Sequence, residues 1–252
     1  KMSMVCLMKN KQVIVIPARM KGTRLPGKPL IKILDKPMIW HVWNNCVKVH
    51  NKNEVYIATE DQEIFDYCNK ENIQCVVTGS ANTAIERIKL FSDFIEANAY
   101  INVQGDEPLA NPSDILTILD YNNNHPDRVV FGKTKCNEAD FLNYSKAKVV
   151  CDINNKLLYS SRAGIPLSNK GQFIAAEKAI WIYAFNKNVL KQYHNYRSGT
   201  PMELIEDNEI IRFLEIGIPV YCTEVIGDSW AIDMPEDVEI VTRIMKEKDE
   251  KV

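Results

Sequence analysis

Val13-Ile14-Val15-Ile16 is a β-branched run with no polar position, so a strand built from it must be covered on both faces. That is the situation inside a parallel sheet, not at a solvated one. Val55 to Thr59, Gln74 to Thr78 and Tyr100 to Val103 repeat the theme as short strands. Between them lie stretches with helical spacing. Met38 to Val49 lines up Ile39, Val42, Trp43, Cys46 and Val47 behind Pro37. Asp61 to Glu71 is a polar helix that Asp61 is placed to cap, and Thr83 to Ala97 is a third helix. Strand–helix alternation over a hundred residues predicts right-handed βαβ units on a parallel sheet.

Beyond Asp127 the pattern loosens. Val129-Val130-Phe131 and Ala147 to Cys151 read as strands with no regular helix between them, and Ala179 to Phe185 reads as a strongly apolar strand. A helix is predicted over Asp207 to Ile216, stopped by a left-handed cap at Gly217. Pro219 to Cys222 is a further strand, and Pro235 to Glu247 a last helix with proline in its first turn. No repeat, low-complexity tract or composition break marks a linker. The reading is one α/β domain over residues 1–252, a mostly parallel sheet with flanking helices and a β-rich second half. Residues 1–8 read as a ragged leader without a signal peptide's cleavage site, and residues 133–172 as a possible dimerisation or substrate-specificity insert.

Charge narrows the partners. With 31 basic and 33 acidic residues the formal net charge is −2, so no basic face is forced and nucleic acid is not an expected partner. No apolar run approaches the roughly 20 residues of a membrane span. The 7 cysteines are scattered, with no C-x-x-C pair, which predicts a reduced, cytoplasmic protein.

The chemistry gathers in three motifs. Pro17-Ala18-Arg19-Met20-Lys21-Gly22-Thr23-Arg24-Leu25-Pro26-Gly27-Lys28 follows the first strand and carries Arg19, Lys21, Arg24 and Lys28 with no acid among them. Ligands of open α/β sheets bind at that strand end, and backbone N–H groups with Arg and Lys side chains cradle polyphosphates. Gly22 to Lys28 has P-loop spacing, but Pro29 follows where a P-loop needs a hydroxyl for Mg²⁺, so that mechanism fails. The second motif, Asn102-Val103-Gln104-Gly105-Asp106-Glu107-Pro108, holds Asp106 at a strand end, where a carboxylate can reach a hard cation. The third is Trp230-Ala231-Ile232-Asp233-Met234-Pro235. Asp233 is either a second metal ligand or the cap of the helix that Pro235 opens.

Together the three motifs resemble the CMP-sugar synthetases, and most closely the 3-deoxy-manno-octulosonate (KDO) cytidylyltransferase family. The matching stretches are Val13–Val42, Ala58–Ile64, Tyr100–Leu109, Leu157–Pro166, Ile182–Phe185 and Asp233–Val241, in the family's order. The basic loop is shared with spore-coat polysaccharide cytidylyltransferases, whereas the Gln-Gly-Asp-Glu-Pro run favours the KDO branch. The resemblance implies a Rossmann-like nucleotide-diphospho-sugar transferase fold, a homodimer, Mg²⁺, and transfer of CMP from CTP to a sugar acid for cell-surface glycan synthesis. It implies nucleotide contacts from Ala18, Arg19, Gly22, Arg24, Lys28, Thr83 and Arg87, and metal ligation by Asp106 and Asp233. Lys28, Arg19, Asp106 and Asp233 would carry the chemistry. Sugar contacts would come from Gln104, Arg162, Trp181, Tyr183 and Glu209, with Arg162 forking the sugar carboxylate.

Three departures fall where base or sugar recognition is expected. The family's Ser-Gly-Thr-Asp-Arg is Thr83-Ala84-Ile85-Glu86-Arg87 here, its His-x-Gly-Ile-Tyr is Ala179-Ile180-Trp181-Ile182-Tyr183, and its Leu-Glu-Gln is Asn208-Glu209-Ile210. Each lost polar partner weakens binding of the usual sugar by about 1–3 kcal/mol, so the expectation is retained nucleotide chemistry with an altered acceptor. Two rival readings are a GT-A-like glycosyltransferase and a degenerate, non-catalytic subunit. The first would carry Asp-x-Asp where this chain has Gly105-Asp106-Glu107, and intact Lys28, Asp106 and Asp233 oppose the second.

Overall fold

A computed structural model describes residues 11–22, 25–227 and 229–249. The first half runs β1 (Gln12–Pro17), a small hairpin of β2 (Lys32–Ile33) and β3 (Lys36–Pro37), α1 (Met38–Val47), β4 (Val55–Thr59), α2 (Gln62–Lys70), β5 (Gln74–Val77), α3 (Ala84–Phe91), β6 (Ala99–Val103) and α4 (Pro112–Asn124). The second half runs β7 (Val129–Cys136), α5 (Glu138–Leu142), β8 (Lys148–Cys151), β9 (Leu157–Ser161), β10 (Ala176–Phe185), α6 (Lys187–His194), α7 (Pro201–Glu206), α8 (Ile211–Glu215), β11 (Val220–Glu224) and α9 (Pro235–Asp249).

The main sheet has the order β11-β7-β10-β6-β1-β4-β5, with the β8–β9 hairpin branching from β10. β6, β1, β4 and β5 pair in parallel, as the βαβ reading requires. β10 then runs antiparallel to β6, β7 and β8, and β11 lies parallel to β7. Both faces of β1 are buried: Ile14 and Ile16 pack towards α1, α2 and α4, and Val13 and Val15 towards α3, α6 and α8. Residues 133–172 continue the same sheet through β8 and β9. The leader, residues 1–8, lies outside the described residues. No helix among the described residues is long and apolar enough to cross a membrane.

Several predicted boundaries shift. The third helix ends at Phe91, where Ser92 closes it by bonding back to Ile88 O and Leu90 O. The helix predicted over 207–216 shrinks to one short helix: Asp207 turns left-handed (φ 46°) to end the preceding α7, and only Ile211–Glu215 is helical before Gly217 at φ 78°. A single turn, α5, lies between β7 and β8. Asp61 does not cap α2 with its side chain; its carboxylate reaches across to the basic loop.

Candidate active site

The basic loop is held from below by backbone. Ala18 N–H donates to Ala58 O (2.9 Å), continuing the β1–β4 ladder past the strand end. The Asp61 carboxylate accepts from Met20 N–H at 2.7 Å, and Gly27 N–H closes the loop onto Met20 O at 2.9 Å. Gly27 sits at φ 70°, a conformation that glycine adopts without strain. A side chain at Gly22 would meet Leu25 O at 2.7 Å, so that position too needs glycine. The loop ends in one turn of 3-10 helix, Lys28–Leu30, which sends the Lys28 side chain back over the sheet.

There it meets the second and third motifs. Lys28 Nζ lies 2.7 Å from an Asp106 carboxylate oxygen, 2.7 Å from Ile232 O and 3.5 Å from an Asp233 carboxylate oxygen. Gly105 makes the approach possible: a Cβ there would lie 2.4 Å from Pro17 O, so only glycine lets the turn after β6 close against the end of β1. Ile232 brings in the third segment. Its N–H donates to Asp106 O at 2.9 Å, and its buried side chain packs with Ile33, Met38, Leu109 and Val241. The first turn of α9 is bonded by Asp237, whose carboxylate accepts from Asp233 N–H and Met234 N–H at 2.8 Å each. The Asp233 carboxylate is directed at Lys28.

These acids shape one another. Burial pushes the Glu107 carboxyl up to about 7, Asp106, Asp233 and Asp114 add to the rise, and the nearby Ser229 hydroxyl opposes it. Asp114 in turn holds the chain that leads to Asp233, accepting from Ile226 N–H (2.8 Å) and Gly227 N–H (2.9 Å).

A second group surrounds the start of α3. Thr83 caps that helix by accepting from Glu86 N–H. Arg87 is 3 % exposed; its guanidinium donates to Thr78 Oγ1 (3.1 Å) and Gly79 O (3.0 Å) and lies 3.6 Å from Glu60. Its buried Nη2 makes no hydrogen bond. Burial lowers the Arg87 pKa, Glu60 opposes that, and the nearby Arg19 cation adds to the lowering. Arg19 and Arg87, far apart in sequence, therefore share one electrostatic neighbourhood, and Arg19 itself is exposed. Glu209 accepts from Ile85 N–H at 3.1 Å and from the Thr83 hydroxyl.

Three of the expected sugar contacts sit otherwise than the resemblance implies. Arg162 has its guanidinium engaged inside the chain: Nε donates to Glu206 O (2.8 Å), Nη2 to Asp207 O (2.7 Å) and its carboxylate (3.2 Å), and Nη1 to Tyr144 O and Ser145 O. It fastens the end of β9 to the end of α7, which leaves no free fork for a ligand carboxylate. Tyr183 is 1 % exposed and stacks with Phe185 in the core. Trp181 is half-buried and stacked on Phe131 at 6.4 Å, part of the same aromatic row. The cause is strand alternation: on β10 these side chains point to the α3/α6/α8 face, where the apolar cluster is deepest. Gln104 lies in the turn before Asp106, its carbonyl accepting from Glu107 N–H at 3.2 Å. The buried side chain of Ala18 leaves it a scaffold position. Arg24 lies outside the described residues. Sequence reasoning missed Asp61, Ile232 and Arg212, which act through backbone atoms or other side chains; only the matched stretch around Asp61 hinted at the first.

A family profile described as "Cytidylyltransferase" matches residues 13–224. The chain is 33% identical over 243 residues to the 3-deoxy-manno-octulosonate cytidylyltransferase of Escherichia coli, covering 95% of this chain and 98% of that one. The enzyme of the same name from Koribacter versatilis is 33% identical over 241 residues, covering 94% and 91%. Among solved structures, CMP:2-keto-3-deoxy-manno-octonic acid synthetase complexed with CTP superposes with a TM-score of 0.88 at 32% identity, covering 94% of this chain and 99% of that one. HddC from Yersinia pseudotuberculosis, at 16% identity and a TM-score of 0.68 over 93% of this chain and 99% of that one, shares the fold.

Proposed function

The chain belongs to the cytidylyltransferase family, and from that premise we propose that it transfers CMP from CTP to a 2-keto-3-deoxy sugar acid, giving CMP-sugar and pyrophosphate. The observation that carries this reading is the meeting of Lys28, Asp106 and Asp233 at the carboxyl end of the central strands. A sugar hydroxyl attacks the α-phosphorus and gives up its proton to water, the new P–O bond forms, and the bond to the bridging oxygen of pyrophosphate breaks. Negative charge grows on the phosphoryl oxygens and on the leaving group. Lys28 and Arg87 are cations held in advance by their hydrogen bonds, with the exposed Arg19 beside them, and preorganised charge is the condition under which electrostatic stabilisation is largest.

The residues fit Mg²⁺. Asp106 and Asp233 are hard oxygen donors drawn to one ammonium, and among the described residues no cluster of three or more His, Cys, Asp or Glu could hold a metal by itself. Mg²⁺ commonly takes one or two carboxylates and completes its shell with phosphate oxygens and water. Asp106 and Asp233 would hold it, and it would supply charge neutralisation on the triphosphate.

The acceptor departs from plain KDO in this reading. Ala179 and Ile210 stand where the family carries a histidine and a glutamine, and both are buried in the apolar cluster. A polar sugar loses two partners there, which favours a related keto-acid sugar with a less polar or modified substituent. Product feeding cell-surface glycans, a cytoplasmic site of action and a homodimer through the face around Leu142, Tyr144, Leu158 and Leu167 belong to the same proposal. Those four side chains are exposed, and the six described cysteines are free thiols.

The test is CTP- and Mg²⁺-dependent pyrophosphate release with KDO and a panel of nonulosonates. Turnover of a panel member well above KDO is expected. Efficient turnover of KDO itself removes the altered-acceptor idea, and no turnover with any sugar acid removes the activity.

A further inference from the structure

We propose that Arg212 is a positioning residue that ties the turn carrying Arg87 to the turn carrying Glu209, so that the nucleotide and sugar halves of the site keep one fixed spacing. The inference rests on the proposed activity and on the family resemblance, which implies that Glu209 contacts the sugar acid.

Arg212 is 1 % exposed, yet it is a full cation on α8. Its Nε and Nη2 donate to the two oxygens of Glu203, both at 2.6 Å, a bidentate fork onto α7. Its Nη1 donates to Glu86 at 3.1 Å, on α3. The guanidinium lies 3.9 Å from the centre of the Tyr193 ring on α6. One side chain thus joins four helices. Both acids are themselves committed. Glu86 also accepts from Asn82 N–H (3.0 Å), and Glu203 from Thr200 N–H (3.0 Å).

The consequence lies in what flanks these acids. Glu86 sits beside Arg87 in the first turn of α3, and Asn208–Glu209 form the link from α7 to α8. The Glu209 carboxylate closes the gap between the two turns, accepting from Ile85 N–H at 3.1 Å and from the Thr83 hydroxyl. The Tyr193 hydroxyl adds a bond to Glu209 O at 3.3 Å. The two turns thus meet directly at one carboxylate, between segments that are largely buried. The buried fork of Arg212 holds them shut, and removing one partner of a buried pair leaves an uncompensated charge. The position of Glu209 is therefore set by Arg212, while that of Arg87 is set separately by Thr78, Gly79 and Glu60.

Two variants test the tie. Arg212→Lys keeps the charge and loses the fork; Glu86→Gln keeps the shape and the Asn82 bond and loses the charge. Hydrogen exchange at the Ile85 amide is the direct readout, with the Val15 amide of β1 as reference. In both variants Ile85 is expected to exchange at least about tenfold faster, with Val15 unchanged. The KM for the best acceptor of the panel is expected to rise about tenfold, with the CTP dissociation constant within about twofold of wild type. Unchanged protection at Ile85 in folded R212K overturns the proposal. So does a parallel loss of CTP and acceptor affinity, which marks general loosening. Where R212K does not fold, E86Q decides by the same readings. A wild-type chain that uses no sugar acid defeats the proposed activity instead, and leaves hydrogen exchange to decide the tie.

Discussion

The Lys28 ammonium lies 2.7 Å from the Asp106 carboxylate, although 78 positions separate the two residues in the chain. Replacing Lys28 with methionine keeps the length and removes the cation. In the proposed reaction this removes a cation from the triphosphate site, and kcat is expected to fall by about 10²–10³, the scale of losing one preorganised charge donor. Steady-state pyrophosphate release on wild type and K28M measures it, and a loss below about threefold contradicts the role.

Gly105 is where the site meets fold stability. A methyl group there would sit 2.4 Å from Pro17 O, against backbone that has no side-chain freedom to yield. Gly105→Ala is expected to destabilise the chain by about 1–3 kcal/mol through overpacking and to displace Asp106. Urea denaturation and kcat are expected to change together in this variant.

Asp61 supports the basic loop through the Met20 amide at 2.7 Å. Asp61→Ala leaves that N–H without its charged acceptor, at about 1–3 kcal/mol. Because Asp61 braces the loop backbone at Met20 while Lys28 is held by Asp106, Ile232 O and Asp233, the KM for CTP is expected to rise about tenfold or more with a smaller loss in kcat. An equal loss in kcat would place Asp61 nearer the chemistry.

Glu209 carries a pH signature. Burial first, then Glu203, pushes its carboxyl up to about 7, against hydrogen bonds from Ile85 and Thr83 and the Arg212 charge. An ordinary glutamate titrates near 4.3, so the folded state holds a proton that the unfolded chain has released across that window. The stability this adds is complete below about pH 4.3 and is lost as pH rises through about 7. Glu209→Gln removes the dependence, so its Tm is expected to gain on wild type between pH 5 and 8. Thermal melts at constant ionic strength read the difference. A Tm gap that stays flat across that range would show that Glu209 titrates normally.

How much of this was legible in the sequence depends on what each residue uses. β1 and β4 announced themselves because β-branched runs covered on both faces have few alternatives. The meeting of Lys28, Asp106 and Asp233 was foreseen because each follows a strand or opens a helix at one end of the sheet. α4 went unread: Asp114, Asp120 and three consecutive asparagines dilute the stripe of Ile115, Ile118 and Leu119. The helix over 207–216 was misread because Asp207 adopts a left-handed backbone that usually belongs to glycine or asparagine. Arg162 was expected to bind a ligand because it matches a family position near the substrate and its guanidinium suits a carboxylate. Which donors remain free is a property of tertiary contacts with Tyr144, Glu206 and Asp207, which no local pattern contains.

The most direct measurement is pyrophosphate release from CTP and Mg²⁺ with the sugar-acid panel, run side by side on wild type and Asp106→Asn. Acceptor-dependent release by wild type that drops at least about a hundredfold in D106N is the predicted result. Release that is independent of the acceptor, or that survives the substitution at full rate, would contradict a nucleotidyl-transfer site at Lys28, Asp106 and Asp233.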